Sequence, residues 1–240
     1  KTGGRKHQLP DPNNAAPEPK AQKSFTDPES RIMKDGATKE FVQAYNAQIV
    51  VDSQSQIIVA ASVTQEENDK KQLVPMMGKT KEILGQLPDK VSADAGYFSE
   101  AAITDESLAR TDLFVPPHRV KHGENQPVSN SISSTVADTM RRKLSTDEGR
   151  DIYRFRKAIV EPVFGQIKEA RNFRRFSFRG LAKVEAEWTL VCLTHNLLKL
   201  FRSGSSLKKK AGEARIERQS SRPIGFKDAL LFLYRVTRGK

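Results

Sequence analysis

The stretch Tyr153-Arg-Phe-Arg-Lys157-Ala-Ile-Val-Glu161-Pro-Val-Phe-Gly-Gln-Ile-Lys168 carries two helical patterns at once. At about 100° per residue, with Tyr153 at zero, Lys157 falls near 40°, Glu161 near 80° and Lys168 near 60°. Ile152, Phe155, Ile159, Val163 and Ile167 gather on another face, roughly 200–320° on the same wheel. A segment with this double period folds as a helix with one face in a core. Its other face presents a lone acid among cations. That arrangement suits phosphate chemistry around a metal. It equally suits a solvated face with incidental ion pairs, the usual fate of such charges.

Composition bears on that choice. The chain has 240 residues, room for one domain of ordinary size plus tails. Hydrophobic residues are 37% and charged residues 29%, a lean balance that predicts some disorder. Forty-one Lys and Arg against 29 Asp and Glu give a net charge of +12, which points to a polyanionic partner. Residues 141–183 hold 13 Lys/Arg against 5 Asp/Glu, so a net +8 surrounds the helix just described. The single cysteine, Cys192, excludes an internal disulfide and a cysteine-built zinc site, and its apolar neighbours make it a small core residue. No stretch is long and apolar enough to span a bilayer, and no secretory signal is present. The sequence opens on Lys1 rather than Met, in a low-complexity segment, and is expected to be part of something longer.

Residues 1–40 read as a linker, with Pro10, Pro12, Pro17 and Pro19 among polar residues. Two strand-like runs follow, 41–51 and 56–63, joined by a hairpin turn at Asp52-Ser-Gln-Ser55. A helix is expected over 68–84, with a break near Pro75, then a short strand Lys90-Val-Ser-Ala93 ending at Asp94-Ala-Gly96-Tyr97. Ser99 reads as the N-cap of a helix reaching about Ala109, and Thr111–Val115 as a fourth strand stopped by Pro116-Pro117. Residues 118–146 are polar and weakly patterned. The main helix is expected over 146–170, with a kink or a fresh start at Pro162. Another helix spans 184–202, its Trp188, Val191, Cys192, His195, Leu198 and Phe201 forming a largely buried stripe in which His195 is a core residue. The tail 203–240 is basic and flexible, with a short helix at Ala229–Tyr234. Alternating strands and helices predict an α/β fold with a mixed sheet. In open α/β sheets chemistry gathers at the carboxyl ends of strands, where Asp94 sits. Asp94 reads either as the cap of a strand-to-helix turn or as a metal ligand beside the sharp turn at Gly96.

At these residues the chain resembles the C-terminal part of the catalytic domain of bacterial insertion-sequence transposases of the DDE type. The likeness rests on three blocks: Phe25-Thr-Asp-Pro-Glu-Ser-Arg-Ile-Met33 with Tyr45-Asn-Ala-Gln48; Ala93-Asp-Ala-Gly-Tyr-Phe98; and Tyr153 through Lys168, continuing into Phe176-Ser-Phe-Arg-Gly-Leu181. It covers roughly residues 24–202 and implies a ribonuclease-H-like mixed sheet with flanking helices over 41–202, incomplete at its N-terminus. It implies a bacterial enzyme of the cytoplasm, associated with the nucleoid, that cleaves and transfers double-stranded DNA at transposon ends and into a target. Synapsis of two ends implies a homo-oligomer.

The resemblance assigns the family's second carboxylate to Asp94 and its third to Glu161, both ligands of Mg2+ (or Mn2+), with Tyr153 and Lys168 on DNA phosphates. The family's helix usually sets three residues between its Arg and its Glu. Here Arg156 to Glu161 leaves four, so Lys157 takes the cation's register first and Arg156 second. The first carboxylate is expected in a strand upstream of Lys1. Asp52 is a candidate within the chain, but it reads equally as a turn residue, and Asp27 and Asp35 rank below it. Arg171, Arg174, Arg175 and Arg179 extend the cationic track. The interleaved Phe173, Phe176 and Phe178 either stack on unpaired bases or pack in the core. If the first carboxylate is missing, the chain is a catalytically inactive DNA-binding remnant. A generic basic RNA-binding protein is the remaining reading.

Overall fold

The computed structural model describes residues 23–35, 39–118, 135–213 and 229–233, with the backbone alone for 204–213 and 229–233. Residues 1–22, 36–38, 119–134, 214–228 and 234–240, Tyr234 among them, lie outside the described residues.

Two strands stand before the expected hairpin. Strands β1 (Arg31–Lys34) and β2 (Phe41–Ala44) pair antiparallel, so the segment read as linker contributes a strand. The strand-like run 41–51 divides at Tyr45, whose side chain is fully buried and whose hydroxyl donates to Asp27 Oδ1 at 2.8 Å. Beyond it β3 (Asn46–Asp52) pairs antiparallel with β4 (Ile58–Thr64). Every residue of β3 is buried, because both of its faces are covered. Ala47, Ile49 and Val51 join one core and Val50 the other, as the two-residue period of a strand requires.

Helix α1 (Leu73–Leu84) packs on the Val50 side. Pro75 lies in its first turn, where a missing N–H leaves no intrahelical bond unmade, and so the helix is unbroken. Gly85 closes it at φ 76°, donating to Lys81 O at 2.8 Å. Strands β5 (Lys90–Ser92) and β6 (Asp112–Phe114) pair in parallel. The helix expected after Ser99 shortens to α2 (Glu100–Ile103) and a 3-10 turn, although Ser99 does cap it, its Oγ accepting from Ala102 N. The weakly patterned stretch before residue 146 yields α3 (Val136–Ser145). Its Lys143 donates to Leu113 O at 2.7 Å and lies over the Phe114 ring, tying α3 to β6.

Helix α4 (Asp147–Gly165) continues as a π-helical turn over Gln166–Ala170. Thr146 caps it, accepting from Gly149 N at 3.0 Å. Gly149 is needed where α3 passes into α4, since a Cβ there would stand 2.2 Å from Lys143 O. Pro162 neither breaks nor restarts the helix. Lacking an N–H, it leaves the Ala158 carbonyl without its intrahelical donor, and Gln56 Nε2 supplies one from the β3–β4 turn at 3.2 Å. Helix α5 runs from Leu181 to Glu213, eleven residues past its expected end. Trp188, Cys192 and His195 are buried as expected, whereas Leu198 and Phe201 are exposed. Trp188 anchors the helix through Nε1, which donates to Gln48 O at 3.1 Å. Phe173 stacks on Trp188 and Phe176 meets it edge-on.

The last strand corrects the sequence reading. Ala229–Leu233 is a strand, β7, rather than a helix. It pairs antiparallel with β3, Gln48 opposite Leu233 and Asp52 opposite Ala229, and it also lies against β5. The spatial order is thus β4–β3–β7–β5–β6. Helices α1, α2 and α3 cover one side, while α5 and the C-terminal half of α4 cover the other.

Candidate active site

Asp94 follows two residues after β5, and its position is set by its own turn. Its Oδ1 accepts from Ala95 N at 2.7 Å, capping the 3-10 turn Ala95–Tyr97. The same oxygen stands 3.5 Å from Arg156 on α4. The Asp94 side chain is 43% exposed and that of Arg156 17%. The guanidinium also lies over the Tyr153 ring, 4.9 Å from its centroid. The second and third sequence blocks therefore meet at this ion pair.

Which cation does so follows from how α4 is turned. Its buried residues are Ile159, Val160, Val163, Phe164 and Ile167, which centre the inward face near 300° on the wheel. Arg156 lies at that angle, at the level of the strand end. Lys157 is exposed on the outer side. Phe155, expected in the core, is 54% exposed and lines a shallow depression of about 500 Å3 with Ile152 and Ala158. Glu161 is exposed, about 7.5 Å further along the axis than Arg156.

A polar network that the sequence reading left without a role borders Asp94. The buried Tyr97 hydroxyl donates to Gln48 Oε1. Gln48 Nε2 donates to Asp69 Oδ1 at 2.9 Å, and Asn46 Nδ2 to the same oxygen at 2.6 Å. Burial above all, then the charge of Asp69, pushes the Tyr97 phenol well above its ordinary pKa, with Asp94 adding to the effect. Gly96 passes close to Asp69, whose Oδ2 would be 3.3 Å from an added Cβ. The block Tyr45-Asn-Ala-Gln48 carried the signal, since two amides on one face of a strand otherwise read as misplaced polar groups.

The remaining candidates are spread out. Asp52 is buried in the hairpin turn, its Oδ2 accepting from Ser55 N at 2.7 Å and Ser55 Oγ at 2.5 Å. It lies four residues along β3 from Gln48, about 13 Å at strand rise, toward the end away from Tyr97. Asp27 is buried and accepts from Tyr45 and from Gly180 N, while Glu29 accepts from Leu181 N, so this first block clasps the N-terminus of α5. Arg171 donates to Val191 O and Thr194 Oγ1 on α5, and Arg174 pairs with Glu169. Arg175, Arg179 and Phe178 are exposed, and Lys168 is half-buried. His195 is fully buried, donating to Gln56 O at 2.9 Å, and His118 is exposed. Among the described residues no three His, Cys, Asp or Glu side chains converge as a metal-binding group.

The model of a family described as transposase DDE domain matches residues 15–197, three-quarters of the chain. This chain belongs to that family. No curated protein and no solved structure matches it. Membership accounts for the mixed α/β architecture, which is of the ribonuclease-H-like kind. The matched span includes Asp94, the network around Asp69, the whole of α4 and the cationic segment after it. Among the described residues no helix is long and apolar enough to cross a membrane.

Proposed function

We propose that this DDE domain serves a bacterial insertion-sequence transposase, cleaving double-stranded DNA at the element's ends and transferring it to a target. The observation that carries the reading is the approach of Arg156 to Asp94, which joins the strand-end acid to the acid-bearing helix. Asp94 and Glu161 would hold Mg2+ or Mn2+. Their donor chemistry fits, since such ions prefer carboxylate oxygens and both side chains are open to solvent. The bound ion supplies Lewis-acid activation of the attacking oxygen and neutralises charge at the scissile phosphate. Arg156 orients the Asp94 carboxylate and is itself braced by the Tyr153 ring. Lys157, Lys168, Arg175 and Arg179 bind flanking phosphates and set the register of the duplex. Synapsis of two ends requires two copies of the domain.

A second reading, an inactive DNA-binding remnant, is favoured by the placement of Asp52 in a turn toward the other end of β3. Incubating the 240-residue chain with Mg2+ and duplexes bearing the element's terminal sequences separates the two. Strand cleavage that Glu161→Ala abolishes while DNA binding survives supports the enzyme. Salt-sensitive binding with no cleavage establishes the remnant.

A further inference from the structure

Helix α5 is apolar on two opposite faces. With Leu190 at zero and about 100° per residue, the buried Trp188, Cys192 and His195 lie between about 140° and 200°. Leu190, Leu193, Leu197 and Leu200 fall on the far side, between about 280° and 360°, and are 51–60% exposed. Ala186 and Gly204 continue that arc at about 320°, and Phe201 borders it at about 20°. No charged residue enters the arc between positions 186 and 204. Past His195 the inward contacts turn polar: Asn196 Nδ2 donates to Ile58 O and Lys199 to Gln56 Oε1. Over this half of the helix the apolar side is the outward one. A monomer rarely leaves so continuous a stripe bare.

We infer that α5 pairs antiparallel with α5 of a second copy of this chain, about a twofold axis passing near residue 195. The spacing of the stripe names that occupant. Steps of 4, 3, 4, 3 and 4 residues from Ala186 to Gly204 read the same in either direction, with small residues at both ends and leucines between. A twofold interface needs such a self-complementary patch. In this register Leu190 meets the partner's Leu200, Leu193 the partner's Leu197, and Ala186 the partner's Gly204. Alternating steps of three and four are those of helices packed knobs into holes. Charge sets the direction. Residues 201–209 carry Arg202, Lys208 and Lys209 and no acid, whereas residues 181–189 carry Lys183 with Glu185 and Glu187. Parallel helices would lay the two cationic segments side by side, and antiparallel ones lay each beside a segment holding two acids. Glu185 meets Lys79 at 3.2 Å and Glu187 accepts from Ser177 N and Phe178 N, so both carboxylates are held in place. The interface stands on α5 alone and does not rest on the function proposed above. Where that function holds, it supplies the face that joins the two copies.

The 240-residue chain tests this without metal or DNA, at about 0.5 M salt to screen repulsion between basic chains. Sedimentation equilibrium at about 50 μM is expected to give a dimer. Leu193→Lys/Leu197→Lys is expected to raise the dissociation constant at least tenfold while the far-ultraviolet circular dichroism stays unchanged. A parent chain monomeric at about 50 μM would overturn the inference, as would association that the double variant leaves intact. Register is read in a Cys192→Ala background. Leu190→Cys and Leu200→Cys chains, mixed and mildly oxidised, are expected to form the mixed disulfide about tenfold faster than either self-disulfide. Antiparallel pairing brings position 190 beside position 200, and leaves like positions about 15 Å apart along the axis. Self-disulfides that form faster than the mixed one would overturn the antiparallel pairing. Should the lysines unfold the helix, the cysteine chains still decide. A monomeric chain in which Leu193→Cys reacts slowly with maleimide would assign the stripe to another segment of the same chain and overturn the second copy. Failure on any of these counts leaves metal-dependent cleavage to be judged by its own assay.

Discussion

Arg156 lies on the core side of the wheel, away from the polar face that carries Lys157 and Glu161, and it is the cation that stands 3.5 Å from Asp94. A site at the carboxyl edge of a sheet lies beneath the helix, on its inward face. The cation that reaches it is the one at a core angle, and the wheel had set that angle aside as apolar. Asp94 was legible because a strand, a carboxylate and a glycine stood in order. Asp69 was not, since its partners Asn46 and Gln48 lie 23 and 21 residues away on another element. His195 was legible as a core residue from its place in an apolar stripe. Burial lowers its pKa below the ordinary 6.5, with the charges of Arg171 and Lys199 adding to the effect and the bond to Gln56 opposing it. A depressed folded-state pKa contributes stability above about pH 6.5 that is lost as pH falls, because the unfolded chain takes up the proton more readily. The urea midpoint is therefore expected to fall between pH 7.5 and 5.5. His195→Gln should flatten much of that slope, and an unchanged slope would contradict the burial argument.

At the scale of elements, the hairpin, α1, the two parallel strands, α4 and α5 follow from periodicity and capping residues. The failures share one cause, which is that tertiary contacts overrode local pattern. β1 is four residues long and exists because β2 pairs with it, and β7 is extended because a sheet edge receives it. Pro162 is the instructive case. Its helix continues because an outside donor, Gln56, takes the carbonyl that the proline orphans. Gln56→Leu should then cost about 1 kcal/mol, and less in a Pro162→Ala background, where the Ala158 carbonyl regains an intrahelical donor. A double-mutant cycle in urea is expected to give a coupling of at least about 0.5 kcal/mol. Additive effects would show that the contact contributes nothing.

For the whole molecule, charge distribution is the property that sequence conveys best and packing the one it conveys least. The excess of cations around α4 needs no coordinates to see, but which of them are committed to the protein does. Arg171 and Arg174 hold α5 and Glu169, while the exposure of Arg175 and Arg179 makes them candidates for phosphate contact. If about four phosphates are neutralised, affinity for duplex DNA should drop about 100-fold between 50 and 200 mM salt. Changing Arg175 and Arg179 together to Ala should reduce the logarithmic salt slope by about 2, as measured by fluorescence anisotropy. A slope near zero in the parent chain would argue against a nucleic-acid track. The central claim, that Asp94 and Glu161 serve one divalent ion beside this track, is read most directly by Mn2+ titration of the 240-residue chain followed by electron paramagnetic resonance. The account predicts one class of bound Mn2+ that Asp94→Asn and Glu161→Gln each weaken at least tenfold. Binding that survives either substitution unchanged, or no binding at millimolar Mn2+, would contradict it.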